Sequence, residues 1–211
     1  MKKIYLLASI ILVATPLLIF GTEVSLAPVA DSPLFQNQPN TNYGSQTYGY
    51  WGFWSNGGQR TLVKWDLSSV TGTVVSAKLS WQCQQNNSGT GKMWACKVTA
   101  AWVESTVTWA TQPAHDDTAA SRILDIDWDP GTGPVTHDCT AAAKAIIQNW
   151  VNNPSQNFGV ILKKDPETGD TPRCYPYMKE ASGYQPVKLI VTYYPTVIMP
   201  SSVGELKATF K

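Results

Sequence analysis

The sequence predicts an all-β fold: an antiparallel β-sandwich, jelly-roll-like, of about ten strands with one short capping α-helix. Three observations carry this. Apolar and polar residues alternate with period two in segment after segment. The 15 glycines and 14 prolines among 211 residues break the chain into short runs. Only one stretch carries the apolar stripe of a helix.

The strands follow in order. A first one is expected near Glu23–Ala30. In 60–67, Thr61, Val63, Trp65 and Leu67 fall on one face, with Arg60, Lys64 and Asp66 on the other. In 75–83 one face holds Val75, Ala77, Leu79, Trp81 and Cys83, and the other Ser76, Lys78, Ser80 and Gln82. Trp94, Cys96 and Val98 align in 92–98, and Leu124, Ile126 and Trp128 oppose Asp125, Asp127 and Asp129. Phe158–Lys163 is an apolar strand. The last strand alternates Val187, Leu189, Val191 and Tyr193 with Lys188, Ile190, Thr192 and Tyr194. The single helix starts behind Thr140, a good N-cap. Its stripe is Ala143, Ile146, Ile147, Trp150 and Val151, and Asn152-Asn153-Pro154 stops it. It is placed over an open end of the sandwich.

Domain organisation is simple. Lys2 and Lys3 precede an apolar run, Ile4–Phe20, interrupted by Ser9, Thr15 and Pro16, and Gly21 offers a small residue for cleavage. This is the pattern of a secretory signal peptide over residues 1–21, with an uncleaved anchor as the alternative. Residues 22–196 form one sandwich domain, and no other segment has the length to span a membrane. Residues 197–211 form a tail in which Ser202-x-x-Glu205 resembles a capping box. There Val203, Leu206 and Phe210 would share one face of a short helix.

The net charge is +1, and 15% of residues are charged. That balance argues against nucleic acid, whose partners carry basic patches. Four cysteines, Cys83, Cys96, Cys139 and Cys174, suggest disulfides in a secreted chain. Cys83 and Cys96 flank the turn-rich stretch Asn86–Gly91, so a hairpin would set them face to face, and Cys139 with Cys174 follows by elimination. Buried free thiols are the alternative. The spacing does not suit zinc.

Several motifs then occur in order. They are Pro39-Asn40-Thr41-Asn42-Tyr43-Gly44; Arg60-Thr61-Leu62-Val63-Lys64-Trp65-Asp66-Leu67-Ser68-Ser69; Val75-Ser76-Ala77-Lys78-Leu79; the Ala101–Pro113 stretch AWVESTVTWATQP; Asp138-Cys139-Thr140 with the helix to Trp150; Asn157-Phe158-Gly159-Val160-Ile161-Leu162; and Lys179-Glu180-Ala181-Ser182 with Pro186 and Val191-Thr192-Tyr193. Together they resemble the DNRLRE domain family. That resemblance implies an extracellular β-sandwich related to carbohydrate-binding modules, a family that binds or builds rather than catalyses. Function itself sits in sites, which a fold does not specify.

Three groups are candidate sites. The first is the aromatic run Tyr48-Gly49-Tyr50-Trp51-Gly52-Phe53-Trp54. Alternation sends Trp51 and Phe53 inward and leaves Tyr48, Tyr50 and Trp54 outward as a flat platform on which sugar rings stack. Trp65, Trp81, Trp102, Trp109 and Trp150 are assigned to the core. The second group is acidic: Asp125, Asp127 and Asp129; Asp116 and Asp117; Asp165, Glu167 and Asp170. These read as solvated faces. Asp31 and Glu104, inside the motifs above, are candidate ligands of a structural calcium; no other cofactor is expected. The third is catalytic. His137 and Cys139 share a strand face, but a disulfide at Cys139 would remove the dyad. Glu104 and Asp127 are the carboxylates a glycosidase would need.

The expectation is a secreted, non-catalytic module that binds polysaccharide or cell-surface glycan. The rival is a structural or adhesive subunit of an extracellular fibre or surface layer, self-assembling through edge strands or the tail.

Overall fold

The computed structural model describes residues 21–196 apart from 55–56, 130 and 170–171. The apolar N-terminal run and the tail from Pro200 to Lys211 lie outside the described residues. Among those described, thirteen strands build two antiparallel sheets. The smaller sheet has the order β1 (Thr22–Leu26), β13 (Lys188–Pro195), β5 (Gly72–Trp81), β10 (Val135–Asp138). The larger runs β6 (Cys83–Asn86), β12 (Arg173–Pro176), β3 (Trp51–Trp54), β4 (Gly57–Trp65), β11 (Val160–Asp165), β7 (Lys92–Val98), β8 (His115–Asp116). Two further strands join it: β2 (Pro28–Phe35) on β4 and β9 (Arg122–Asp127) on β7.

The main core lies between the sheets. Trp51, Val63, Trp65 and Leu162 of the large sheet meet Val74, Leu79, Trp81 and Leu189 of the small one. Buried indoles need acceptors. Trp51 Nε1 donates to the Lys163 carbonyl (2.8 Å), and Trp65 Nε1 to that of Val187 (2.9 Å). The predicted helix forms as α1 (Ala141–Asn152), with the Thr140 side chain accepting from the Ala143 amide. It buries Ala143, Ile146, Ile147 and Trp150 and packs on β5 and β9.

A second core sits on the opposite face of the large sheet. Leu34, Leu62, Cys96, Val98, Val107 and Ile161 are buried there beneath the connection between β7 and β8. Trp102 and Trp109 of that connection pack on it. Trp102 Nε1 donates to the Phe158 carbonyl (2.8 Å). The Arg60 guanidinium lies 4.6 Å from the Trp109 ring centre and donates to Glu167 through two nitrogens and to Gln112 through the third. β4 is therefore buried on both faces, and Leu62 is as buried as Val63. A strand buried on both sides loses the clean polar-out alternation.

Three details differ from the sequence expectation. The opening strand is two strands: β1 pairs with β13 in one sheet, and β2 pairs with β4 in the other. The core residue of β5 is Val74 in place of Val75. A register shift pairs Tyr193 with Val74 directly after Thr192 with Ser76, so Val75 is the extra residue of a bulge. The strand count rises because β6, β8 and β12 have four residues or fewer, too short to show a period.

The cysteine pairing also differs. Cys83 bonds to Cys174, with a Cα–Cα distance of 6.2 Å, while Cys96 and Cys139 are free. The expected hairpin partner of Cys83 is absent because β6 pairs with β12, bringing Cys83 opposite Pro176. Cys96 sits in the second core and Cys83 in the first, on opposite sides of the large sheet. Both faces are apolar, so apolarity alone did not distinguish them. Burial pushes both free thiols up to about 12.

Peptide mapping without reduction should recover a Cys83–Cys174 cross-link, with Cys96 and Cys139 alkylated only after unfolding. Cys83→Ser should lower stability in urea unfolding by about 4–5 kcal/mol, the chain-entropy value for a separation of 91 residues. Arg60→Met should cost about 2 kcal/mol by the same measurement, since it strips the paired donors from Glu167.

Candidate functional site

β3 and β12 run antiparallel with Trp51 opposite Cys174 and Arg173 opposite Gly52. An isolated bridge between Tyr48 and Tyr177 continues the same register. Trp51 and Cys174 enter the main core. Side chains alternate across a strand, so Tyr48, Tyr50, Arg173, Tyr175 and Tyr177 gather on the other side. Tyr50 and Tyr175 rings are 4.9 Å apart, Tyr48 and Tyr50 5.5 Å, and Tyr48 and Tyr175 6.3 Å. Phe35 and Tyr43 close the inner margin, with Phe35 packing edge-on against Tyr50 at 4.4 Å and Tyr43 at 4.6 Å.

At one end of this group stands Trp54, 48% exposed. The Arg173 guanidinium lies 5.0 Å from its ring centre and 5.9 Å from that of Tyr175. Gly52 permits this arrangement: a Cβ there would stand 3.0 Å from both Arg173 Cγ and the Pro172 carbonyl. Beyond Tyr177, the exposed Tyr184 stacks on it at 4.1 Å, with ring planes 9° apart. From Trp54 to Tyr48 the strip spans six residue steps, about 20 Å at the rise of a strand.

The three aromatic side chains singled out in the sequence are thus brought together, with a changed geometry. Tyr48 and Tyr50 are half-buried and their rings are tilted by 40–60° to their neighbours, so they form a ridged strip instead of a flat platform. Their own packing causes the tilt, because phenols crowded on adjacent strands meet edge to face. Tyr50 is held at the backbone too. Thr61 Oγ1 accepts from its amide and donates to its carbonyl, both at 2.7 Å. Burial, helped by a hydrogen bond with Tyr48, pushes the Tyr50 phenol well above its ordinary value. It therefore stays a neutral hydroxyl, able to donate and accept. Arg173 Nε is buried and has no hydrogen-bond partner among the described residues. The strip offers apolar ring faces, phenol hydroxyls and a guanidinium, the groups that grip the C–H faces and hydroxyls of a sugar.

Sequence reasoning missed Arg173, Tyr175, Tyr177 and Tyr184. The one signal was a short alternation, Arg173-Cys174-Tyr175-Pro176-Tyr177, which extends only one residue past a four-residue strand and is too brief to stand out.

A second cluster joins Asp31, Glu104 and Glu180, one oxygen from each lying within 4.8 Å of the others. Glu104 Oε1 accepts from the Asp31 amide (2.8 Å), and Asp31 Oδ2 accepts from the Lys179 amide (2.9 Å). Lys179 Nζ stands 3.1 Å from Glu104 Oε1 and also contacts Glu180. Burial holds the Asp31 carboxyl up at about 7. The Asn42 amide donates to the carbonyls of Glu104 (2.7 Å) and Val107 (2.6 Å), and Gly44 packs so closely on the Glu104 carbonyl that a side chain would collide with it. Thus the Asn42-Tyr43-Gly44 motif and the Glu104 segment are two halves of one contact. Glu180 was not among the sequence candidates for this cluster.

Most of the other acidic candidates have structural partners, Glu167 with Arg60 among them, and Asp170 lies outside the described residues. Asp125 pairs with Arg122 and accepts from Trp94 Nε1, Asp127 pairs with Lys92, and Asp129 contacts His137. Asp117 binds Lys163, and Asp116 accepts from Ser121. Glu104 and Asp127 thus have separate partners. The Cys139 thiol is raised by burial, opposite to what a nucleophile requires, and His137 is occupied by Asp129 and the Trp81 ring. Among the described residues no helix is long and apolar enough to cross a membrane.

The sequence pattern of carbohydrate-binding module family 96 matches residues 22–144, more than half of the chain. No curated protein matches it. β11, β12 and β13 lie beyond the matched stretch yet complete the same two sheets, and β12 carries Arg173 and Tyr175. With its all-β sandwich and its aromatic strip, the chain belongs to carbohydrate-binding module family 96.

Proposed function

We propose that this protein is an extracellular, non-catalytic module that holds polysaccharide or cell-surface glycan along the strip Trp54–Arg173–Tyr175–Tyr50–Tyr48. One observation carries the reading: the Arg173 guanidinium is stacked on the exposed Trp54 ring beside three packed tyrosines, with Nε unpartnered. Trp54 supplies a free ring face for stacking, and Arg173 and the phenols supply hydrogen bonds to hydroxyls. Rings pre-packed on adjacent strands lose little conformational freedom on binding, which favours affinity. The disulfide and the family description support an extracellular setting. Absence of activity is supported by the family description and by the high thiol pKa of Cys139.

The test is affinity electrophoresis through gels containing neutral or acidic polysaccharides. Trp54→Ala should abolish retardation by the bound polysaccharide, because Trp54 is exposed and outside both cores. Tyr50→Ala should weaken it as well, together with some loss of stability from its contacts to Phe35. Unchanged retardation by Trp54→Ala would sink the strip as the site. It would direct attention to the groove of about 1130 Å³ lined by Trp65, Val70, Gln148 and Asn157.

A further inference from the structure

The aromatic surface does not end at Tyr48. Tyr48 bridges Tyr177, and the Tyr177 ring carries a further ring, Tyr184, from the turn between β12 and β13. These two phenol rings lie face to face, with centres 4.1 Å and planes 9° apart. The other tyrosine pairs of the strip are tilted by 40–60°. Tyr184 is 52% exposed although its inner face rests on Tyr177, so its outer face is open to solvent. The turn that carries it is braced. The Ala181 amide donates to the Met178 carbonyl (3.0 Å), the Gln185 amide to Gln82 Oε1 (3.3 Å), and the Gln185 side chain to Ser80 Oγ (2.6 Å). Gly183, just before Tyr184, turns the chain at a φ of +81°, a conformation open to glycine. Tyr184 belongs to neither core. It extends a contiguous aromatic surface, the kind that marks a contact site.

We infer that Tyr184, backed by Tyr177, is a second stacking platform, and that the ligand is an extended stretch of polysaccharide chain lying on Trp54 at one end and on Tyr184 at the other. The inference rests on the reading of the strip as a glycan site. The two exposed rings stand at opposite ends of the tilted phenols. Trp54 to Tyr48 alone is about 20 Å, a span that no mono- or disaccharide covers. The flat outer face of Tyr184 takes the C–H side of one sugar ring, and the tilted phenols between the platforms present edges and hydroxyls to the rings that follow. Two contacts on one chain are linked: once Trp54 holds the ligand, the contact at Tyr184 is an intramolecular step. Affinity therefore climbs with chain length until both platforms are reached.

The test measures affinity against ligand length by calorimetry on the full chain. The probes are size-fractionated oligosaccharides from partial hydrolysis of the polysaccharide that most retards the wild-type chain in gels. Affinity should rise with length and level off only when both platforms are spanned. Tyr184→Ala should bind the longest fraction about tenfold more weakly and the short fractions as the wild type does. Tyr184→Phe keeps the ring and should match the wild type at every length. Both variants should fold, since Tyr184 lies outside both cores. Undiminished binding of the longest fraction by Tyr184→Ala would overturn the proposal. So would an equal loss at all lengths, or a loss with Tyr184→Phe as large as with Tyr184→Ala. Trp54→Ala separates the two readings. If it abolishes retardation while Tyr184→Ala changes nothing, the strip stands and the second platform falls; if no polysaccharide retards the wild type, both fall.

Discussion

The structure depends on closing the outer face of the large sheet. A strand such as β4, apolar on both sides, cannot remain half solvated. Leu62, Cys96, Val98 and Ile161 would expose a continuous apolar surface without the connection between β7 and β8. That connection makes turn bonds of its own, such as the Val107 amide to the Val103 carbonyl, and its Ala110 amide donates to the Pro39 carbonyl, but its hold on the sheet comes from side chains. Val107 fills the second core, the Trp102 indole binds the Phe158 carbonyl, and Trp109 rests on Arg60. Arg60 is itself fixed by Glu167 and Gln112. The Trp102-x-Glu104…Trp109 segment is therefore a lid, and its motif residues are its fasteners.

The same closure positions both candidate sites. Glu104 leaves the lid to meet Asp31 on β2, whose carboxylate caps the Lys179 amide beyond β12. β12 then presents Arg173 and Tyr175 beside β3. Residues far apart in sequence thus support a strip whose ring positions are set by paired strands and not by a loose loop. That is the kind of rigidity a binding surface needs.

Much of this was legible in the sequence, for physical reasons. Period-two alternation in 124–128 and 187–193, and the helical stripe behind Thr140, each report burial on a single face, so their core residues stood out. Trp51, Trp65, Trp81 and Trp150 are buried as expected. Where both faces are buried the alternation fails, and neither the two-sided β4 nor the separation of Cys83 from Cys96 could be read. The bulge at Val75 depends on pairing with β13, which no local pattern encodes. At the sites, β3 announced itself through its aromatic density. Its partner β12 was hidden because four residues carry too little pattern, and Glu180 because it joins Asp31 and Glu104 only through tertiary folding.

One feature of the small sheet bears on how such a module moves. Thr22 pairs with Tyr193, so the first and last strands lie side by side at its edge. Chain preceding β1 and chain following β13 depart from one place, while the aromatic strip lies on the other sheet. A pull on Thr22 and Pro195 together would therefore peel β1 from β13 before it strained β3 or β12.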